Sequence, residues 1–402
     1  MNKLLPGIIF LLFYTSVIAQ DVTELRAALY AAGFEQVLIF PMRSTSEGSV
    51  YMTGVEHRGI NNPAEAVRLA NSISQELGFN QNKFVLLYKG QALFESTIEH
   101  QSIRTANQNK FVLLYKGQST SEHQSIRTAD FSDTDAMDLF RKFSVSKYRF
   151  NVVIDPDIQI RFGYFENPIQ SKIGVLIGSD IILARGLSLF AGLMIPIQND
   201  LDSESNQLKL GPTFFEYFTP LAKNHYTQLS VGLFHNNRYG LDFEYRFFPY
   251  DGRLSLGFRY AKTGLYYFPN KSIFFDPITD DLIVGNIEFL LPKERVSISL
   301  DFGQFLENDR GIRFSVFKQY KNIEVGFFST ATVLGNTSGF NFTIPLVPGK
   351  LIRSKSIELR TNDSFRWEYS YSNEGAIGRE FNATRTIKNN LRRFNSNLFD
   401  KY

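Results

Sequence analysis

Alternation of apolar and polar positions dominates the chain from Tyr148 onward. Its clearest stretch runs from Asp281 to Val347. Val296, Ile298, Leu300 and Phe302 alternate with Ser297, Ser299, Asp301 and Gly303. A turn at Glu307–Gly311 follows, and Ile312, Phe314 and Val316 then alternate with Arg313 and Ser315. Past Lys321-Asn322, the positions Ile323, Val325 and Phe327 repeat the pattern. A period of two places successive side chains on opposite faces of a strand, so this is a meander with one apolar and one polar face.

The same period recurs upstream and downstream. Ile158, Ile160, Phe162 and Tyr164 oppose Gln159, Arg161 and Gly163. Leu187, Leu189, Ala191 and Leu193 oppose Ser188 and Gly192, and Leu229, Val231 and Leu233 oppose Gln228, Ser230 and Gly232. Leu241, Phe243, Tyr245 and Phe247 oppose Asp242, Glu244 and Arg246; Leu254, Leu256, Phe258 and Tyr260 oppose Ser255, Gly257 and Arg259. Phe365, Trp367, Tyr369 and Tyr371 close the series against Arg366, Glu368 and Ser370. Two architectures produce this pattern. In a sandwich the apolar face packs inward; in a transmembrane barrel it meets lipid and the polar face lines the lumen. Short turns (Asn236–Arg238, Asp251-Gly252) mixed with long polar loops (Asn199–Gln207, Phe268–Asp281) fit the barrel. At about 9–11 residues per strand, the stretch holds roughly 12 strands.

The first part of the chain has mixed periodicity. Leu25, Ala28, Leu29 and Ala32 fall at helical spacing, and Gly33 is placed to stop that helix. Gln36–Phe40 reads as a buried strand ended by Pro41, and Ser49–Val55 as a second strand. Asn62-Pro63 opens a helix with the stripe Ala66, Leu69, Ala70, Ile73 and Leu77, closed by Gly78. Phe84–Tyr88 is a third strand. The order predicts a small βαβ module. NQNKFVLLYKGQ occurs at Asn80–Gln91 and again at Asn107–Gln118, and EHQSIRTA at Glu99–Ala106 and at Glu122–Ala129. Two identical copies are too few for a solenoid and read as a recent tandem duplication or a sequence error. One copy of FVLLY fits the sheet; the other becomes an extra edge strand or an insertion. Ala136, Leu139, Phe140 and Phe143 outline a short helix beyond it.

Composition narrows the setting. Of 402 residues, 43 are basic and 40 acidic, a net charge of +3, which argues against electrostatic nucleic-acid binding. Aromatics reach 15 %, with 39 Phe and 19 Tyr against one Trp, a load that suits strands with aromatic girdles. Cysteine is absent, which removes disulfides, thiolate metal sites and Cys nucleophiles. Lys3, the apolar run Ile8–Phe13, and Val17 and Ala19 before Gln20-Asp21 form an export signal. No later stretch is long and apolar enough for a spanning helix, so any membrane crossing is by strands. The expected organisation is a signal peptide at 1–19, then a small periplasmic α/β domain over 20–130 carrying the 80–129 duplication. A mainly β, antiparallel transmembrane barrel follows over 147–375, and a basic tail over 376–402.

Candidate chemistry is sparse. The five histidines (His57, His100, His123, His225, His235) form no triad pattern, and no HExxH, GxSxG, Walker A or GxGxxG stands in a suitable context. No catalytic, cofactor or metal residue is predicted. The polar face supplies the candidate lumen residues Arg161, Asp242, Glu244, Arg246, Arg259, Asp301 and Arg313. They serve either as a self-neutralising network that fills the barrel or as a surface that guides a glycan. An outer-membrane hydrolase acting on lipid or glycan is the alternative. Asp242 and Glu244 share a face, but a glycosidase needs two carboxylates at a set separation across a bound sugar.

Several stretches together resemble a known family. They are Gly186–Asp200 (GLSLFAGLMIPIQND), Leu254–Tyr267 (LSLGFRYAKTGLYY), Val296–Thr332 and Thr337–Leu346. The best match is Gly303-Gln304-Phe305-Leu306 with Asp309 and Gly311, followed by Val325-Gly326-Phe327-Phe328. Ala32-Gly33-Phe34 and Asn62–Ala66 add to it. The chain resembles the YjbH/GfcD family of outer-membrane β-barrel proteins linked to exopolysaccharide and capsule synthesis. The resemblance implies a non-enzymatic role in polymer export or assembly and outer-membrane location. It also implies lipid, polysaccharide and other proteins of the system as partners. Two departures stand out. Family members are usually much longer, and Ser372–Gly375 replaces the turn that commonly follows the family's Trp.

Overall fold

The computed structural model describes residues 22–45, 48–57, 59–60, 62–79, 82–101 and 123–129. It also describes 150–393, except 163–168, 202–206, 223, 250–251, 269–271, 321, 347–351, 355–356, 363, 372–376 and 382–385. The export signal, the second FVLLY copy, the expected helix around Ala136–Phe143 and residues 394–402 lie outside the described residues. The chain divides into two compact units, described separately below.

The first unit begins with helix α1 (22–31), which buries Leu25 and Leu29. Gly33 ends it at φ +113°, a left-handed value that glycine adopts without penalty. Then come β1 (Gln36–Thr45), β2 (Gly48–Glu56), α2 (Pro63–Glu76), β3 (Asn82–Tyr88), β4 (Gln91–Gln101) and β5 (His123–Ala129). The five strands form one sheet in sequence order. β2 and β3 pair parallel across α2, the crossover that the helical spacing predicts. Ala66, Val67 and Ala70 of α2 are buried, as are Val55, Phe84 and Leu86 of the sheet. Met52, Val85, Leu87 and Ala92 form a separate cluster with Leu38 and Phe40. Pro41 does not end β1. The strand runs on to Thr45, and a register shift between Pro41 and Arg43 absorbs the missing N–H. The duplication pairs with itself: His100 lies opposite Gln124 and Gln101 opposite His123, so the EHQ copies meet antiparallel on β4 and β5.

The second unit is a sixteen-stranded sheet. Its first strands are β6 (Phe150–Phe162), β7 (Ile169–Ala184), β8 (Leu187–Asn199), β9 (Lys209–Ala222), β10 (His225–Phe234), β11 (Arg238–Phe247) and β12 (Leu254–Tyr267). The two-residue β13 (Phe274–Phe275) hangs on β12. β14 (Asp280–Leu291), β15 (Val296–Gln304), β16 (Arg310–Tyr320), β17 (Ile323–Thr332) and β18 (Gly335–Ile344) continue the antiparallel meander. The last strands are β19 (Ile352–Arg353), β20 (Ile357–Thr361) and β21 (Phe365–Tyr371), before helix α3 (Ile387–Arg393). The expected figure of roughly 12 strands differs from this count partly because β13 and β19 are two-residue pieces.

The sheet curls until its ends lie side by side. β20 pairs parallel with the first part of β6, from Phe150 to Ile154. The side-chain amide of Asn362 then donates to Asp155 Oδ2 at 2.7 Å. Farther along β6, the Trp367 indole donates to the Ile158 carbonyl at 3.1 Å, and Tyr369 meets Phe162 edge-on at 5.4 Å. Side chains rather than a backbone ladder join β21 to this part of β6 among the described residues.

Burial in this sheet is inverted relative to a sandwich. On β15, Ser297, Ser299 and Asp301 are 3 %, 0 % and 2 % exposed, whereas Leu300 and Phe302 are 37 % and 42 % exposed. On β11, Asp242, Glu244 and Arg246 are buried, while Phe243, Tyr245 and Phe247 on the other face are half-buried. A water-soluble fold buries apolar side chains and leaves charges outside. Here the polar face turns to the concave side and the apolar face outward. This is the distinction that alternation alone leaves open.

Candidate functional site

The concave face of the second unit carries a continuous polar network. Register sets its first part. Arg246 lies opposite Gly257, which lies opposite Asn286 on the next strand. Because Gly257 has no side chain, the Arg246 guanidinium can cross that position. It donates to Asn286 Oδ1 at 2.5 Å, Ser255 Oγ at 2.6 Å and Glu288 Oε2 at 3.1 Å. A Cβ at Gly257 would sit 3.1 Å from Arg246 Nη1.

Arg259 faces Glu244 in the register but reaches diagonally to Asp242. Its Nε and Nη2 donate to the two Asp242 oxygens at 2.9 and 3.0 Å, the bidentate fork that suits a carboxylate. Asp301 accepts from Asn286 Nδ2 at 2.7 Å. Arg313 pairs with Glu368 at 2.8 Å and lies over the Phe328 ring, 3.8 Å from its centroid. The structure thus gathers Asp242, Glu244, Arg246, Arg259, Asp301 and Arg313 on one surface. The Arg161 side chain lies outside the described residues.

The residues after β21 complete the network. Residues 377–381 and 386–393, within the stretch expected as a basic tail, lie against the concave face. Lys388 Nζ donates to Asp301 Oδ2 at 2.6 Å. Four residues on, Arg392 donates to Glu288 Oε1 and to Glu324 Oε1, both at 2.8 Å, and stacks on Phe317 at 3.7 Å. Burial alone would lower the Arg392 pKa, but Glu288 and Glu324 outweigh it and raise it. The spacing of Lys388 and Arg392 puts both cations on one helix face. Phe381 enters a cluster with Phe190, Phe214, Phe234, Phe305 and Leu306, and Arg259 lies over its ring at 4.6 Å. The concave face is therefore part apolar, which the polar–apolar alternation does not announce.

The stretch Gly303–Gly311 anchors this segment. Gly303 lies opposite Gly311 at φ +142°, and a Cβ on Gly303 would stand 2.1 Å from the Ile283 carbonyl oxygen. Phe305 and Leu306 are buried in the cluster, and the Leu306 N–H donates to the Arg379 carbonyl at 3.0 Å. Asp309 accepts the backbone N–H groups of Leu334 and Gly378, at 3.3 and 2.8 Å.

Sequence reasoning missed Asn286, Glu288, Glu324, Glu368, Glu380, Phe381, Lys388 and Arg392. The signal existed for the wall residues, since Asn286 and Glu288 alternate with Ile287 and Phe289. Arg246 and Arg259 are not free surface charges. Each is held by buried carboxylates, so changing both to Gln strips partners from Asp242 and Glu288. Ser255 and Ser299 are likewise enclosed, at 3 % and 0 % exposure, and cannot take an Arg cheaply. Among the described residues, no group of His, Asp and Glu is arranged to hold a metal ion. His225 is bonded to the Tyr245 hydroxyl at 2.7 Å and stacks on Phe247. No helix among the described residues is long and apolar enough to cross a membrane, which says nothing of strands.

The YjbH family model, described as exopolysaccharide biosynthesis protein YbjH, matches residues 16–347. No curated protein matches the chain. Among solved structures, OmpTdeltaL8, a loop L8 deletion mutant of OmpT, is an outer membrane protein of Vibrio cholerae. It matches with 8 % identity over 48 % of this chain and 85 % of its own, at a TM-score of 0.26.

Proposed function

The chain belongs to the YjbH exopolysaccharide biosynthesis family, and from that premise we propose that it is a non-enzymatic outer-membrane β-barrel acting in export or assembly of the polymer. The observation that carries the membrane reading is the inverted burial. Leu256, Phe258, Leu300, Phe302, Phe314 and Phe327 stand outward and exposed, while Asp242, Arg246, Arg259 and Asp301 are enclosed. An apolar exterior of this extent is stable against hydrocarbon and unfavourable in water.

In this reading the first unit lies in the periplasm after removal of residues 1–19. The partners are lipid, the polysaccharide and other proteins of the system, with no nucleic acid. The non-enzymatic assignment is supported by the use of Asp242, whose two oxygens are both taken by Arg259. A carboxylate so held is poorly placed to shuttle protons.

The test is deletion of the gene with measurement of surface polysaccharide. Loss of polymer, restored by the intact gene, is expected. Unchanged polymer would remove the exopolysaccharide role. Purified protein that turns over a lipid or glycan would replace the export reading with the hydrolase.

A further inference from the structure

The segment after β21 is attached to the concave face in two different ways. At the turn after β15 it is held by backbone and apolar contacts. Asp309 Oδ2 accepts the Gly378 N–H at 2.8 Å, the Leu306 N–H donates to the Arg379 carbonyl at 3.0 Å, and Phe381 sits in the phenylalanine cluster. Helix α3 is seated farther along the strands, and its polar ties there are ionic. Lys388 Nζ meets Asp301 Oδ2 at 2.6 Å, and Arg392 meets Glu288 and Glu324 at 2.8 Å. Ile387 and Leu391 are buried as well, but neither joins the phenylalanine cluster. Packing along the segment is loose: a cavity of about 450 Å³ remains between residues 377–381 and 386–389 and the wall strands.

We infer that α3 is a gate: residues 377–381 stay anchored while α3 leaves its seat as Lys388 and Arg392 give up their carboxylates, which uncovers an anionic path along the wall. The two attachments differ in what release costs. Freeing Phe381 would open the aromatic cluster around it to water, which is unfavourable. Separating Lys388 and Arg392 from their carboxylates returns full charges to water, and that hydration offsets much of the lost attraction. Charge sets what the open path favours. On the strands around α3, Asp242, Glu244, Glu288, Asp301, Glu324 and Glu368 outnumber Arg246, Arg259, Arg313 and Arg366. Lys388 and Arg392 balance that excess in the closed state. With α3 away, the wall attracts cations and repels anions, as rings of carboxylates do in cation channels. A neutral or amine-bearing saccharide therefore suits the open path better than a uronate polymer. This inference rests on the reading of the second unit as a membrane barrel.

The experiment measures ion conductance in planar bilayers for the full chain carrying Asp301→Cys and Lys388→Cys. The chain contains no cysteine of its own, so a short bifunctional thiosulfonate bridges only these two sites. Without the bridge this variant conducts several-fold more than the unmodified chain. Bridging returns it to the unmodified level, and a reductant reopens it. Lys388→Gln with Arg392→Gln, which leaves every wall residue in place, also conducts, and its reversal potential in a KCl gradient shows cation preference. That pair covers the case in which the cysteine variant does not fold. Latch variants that stay shut, or a conductance indifferent to the bridge, would overturn the gate, and an anion-preferring open state would overturn the anionic path. If the latch variants stay shut while a chain lacking residues 377–402 conducts, this inference falls alone and the barrel reading stands. If that shortened chain neither inserts nor conducts, the barrel reading falls and the gate with it.

Discussion

Asp309 Oδ2 accepts the backbone N–H of Gly378 at 2.8 Å, and its Oδ1 accepts that of Leu334. One carboxylate thus ties the turn after β15 to both the β17–β18 turn and the segment that fills the concave face. Asp309→Ala removes both acceptors. The segment after Ile377 should loosen while the sheet persists, because its remaining ties are one backbone bond, Leu306 N–H to the Arg379 carbonyl, and side-chain contacts. Limited proteolysis read by mass spectrometry should show faster cleavage within 377–393, with strands β14 to β18 still protected. Unchanged cleavage would mean that the Leu306–Arg379 bond and the Arg259, Lys388 and Arg392 contacts suffice to hold the segment.

The Asp242–Arg259 pair tests whether the network is structural. Arg259→Gln leaves a buried carboxylate without its bidentate partner, which costs about 3–5 kcal/mol. Adding Asp242→Asn removes the stranded charge and should recover part of that loss. A double-mutant cycle in folded fraction against urea measures the coupling. Additive effects would contradict the pairing.

The outward face gives the lipid test. Leu256→Arg and Ile298→Arg should each cost about 2–4 kcal/mol near the membrane midplane. Ser299→Arg should fail too, for a different reason: its site is fully enclosed, with the hydroxyl accepting from Asn286 Nδ2 at 2.8 Å. Lipid composition separates the two. Folding yields for the outward variants should vary with bilayer thickness, and the Ser299 variant should not respond.

Much of this architecture is legible before any coordinates. Val296–Phe302 declares a strand and its two faces, because side-chain period is a local property. Which face is inside is not local: sandwich and barrel share the pattern, and only the enclosed Asp301 beside the exposed Phe302 decides. Candidate residues such as Arg259 and Asp242 could be placed on one face, but the diagonal reach of Arg259 past Glu244 depends on rotamers and on Glu380 across the cavity. The segment 377–393 was least legible. In sequence, Lys388 and Arg392 read only as part of a basic tail, since their partners Asp301, Glu288 and Glu324 lie far back along the chain. The Gly303–Gly311 motif stands out in sequence, but its task as an anchor appears only when Leu306 and Asp309 meet Arg379 and Gly378.

The duplication yields a simpler prediction. Deleting Asn107–Ala129 removes β5, an edge strand, and leaves β1 to β4 with the parallel β2–β3 pair intact. The first unit should stay folded by protease resistance, with β4 as its new edge. Loss of that resistance would show that the EHQ self-pairing is required.

The central claim is that a lipid-facing sheet holds residues 377–381 and 386–393 against its own concave face. It is tested most directly by ion conductance in planar bilayers, comparing the full chain with a variant lacking residues 377–402. The full chain should insert and conduct little, because Lys388, Arg392 and Phe381 lie against the concave face. The shortened variant should conduct in discrete, larger steps. Equal conductance for the two proteins would contradict the account.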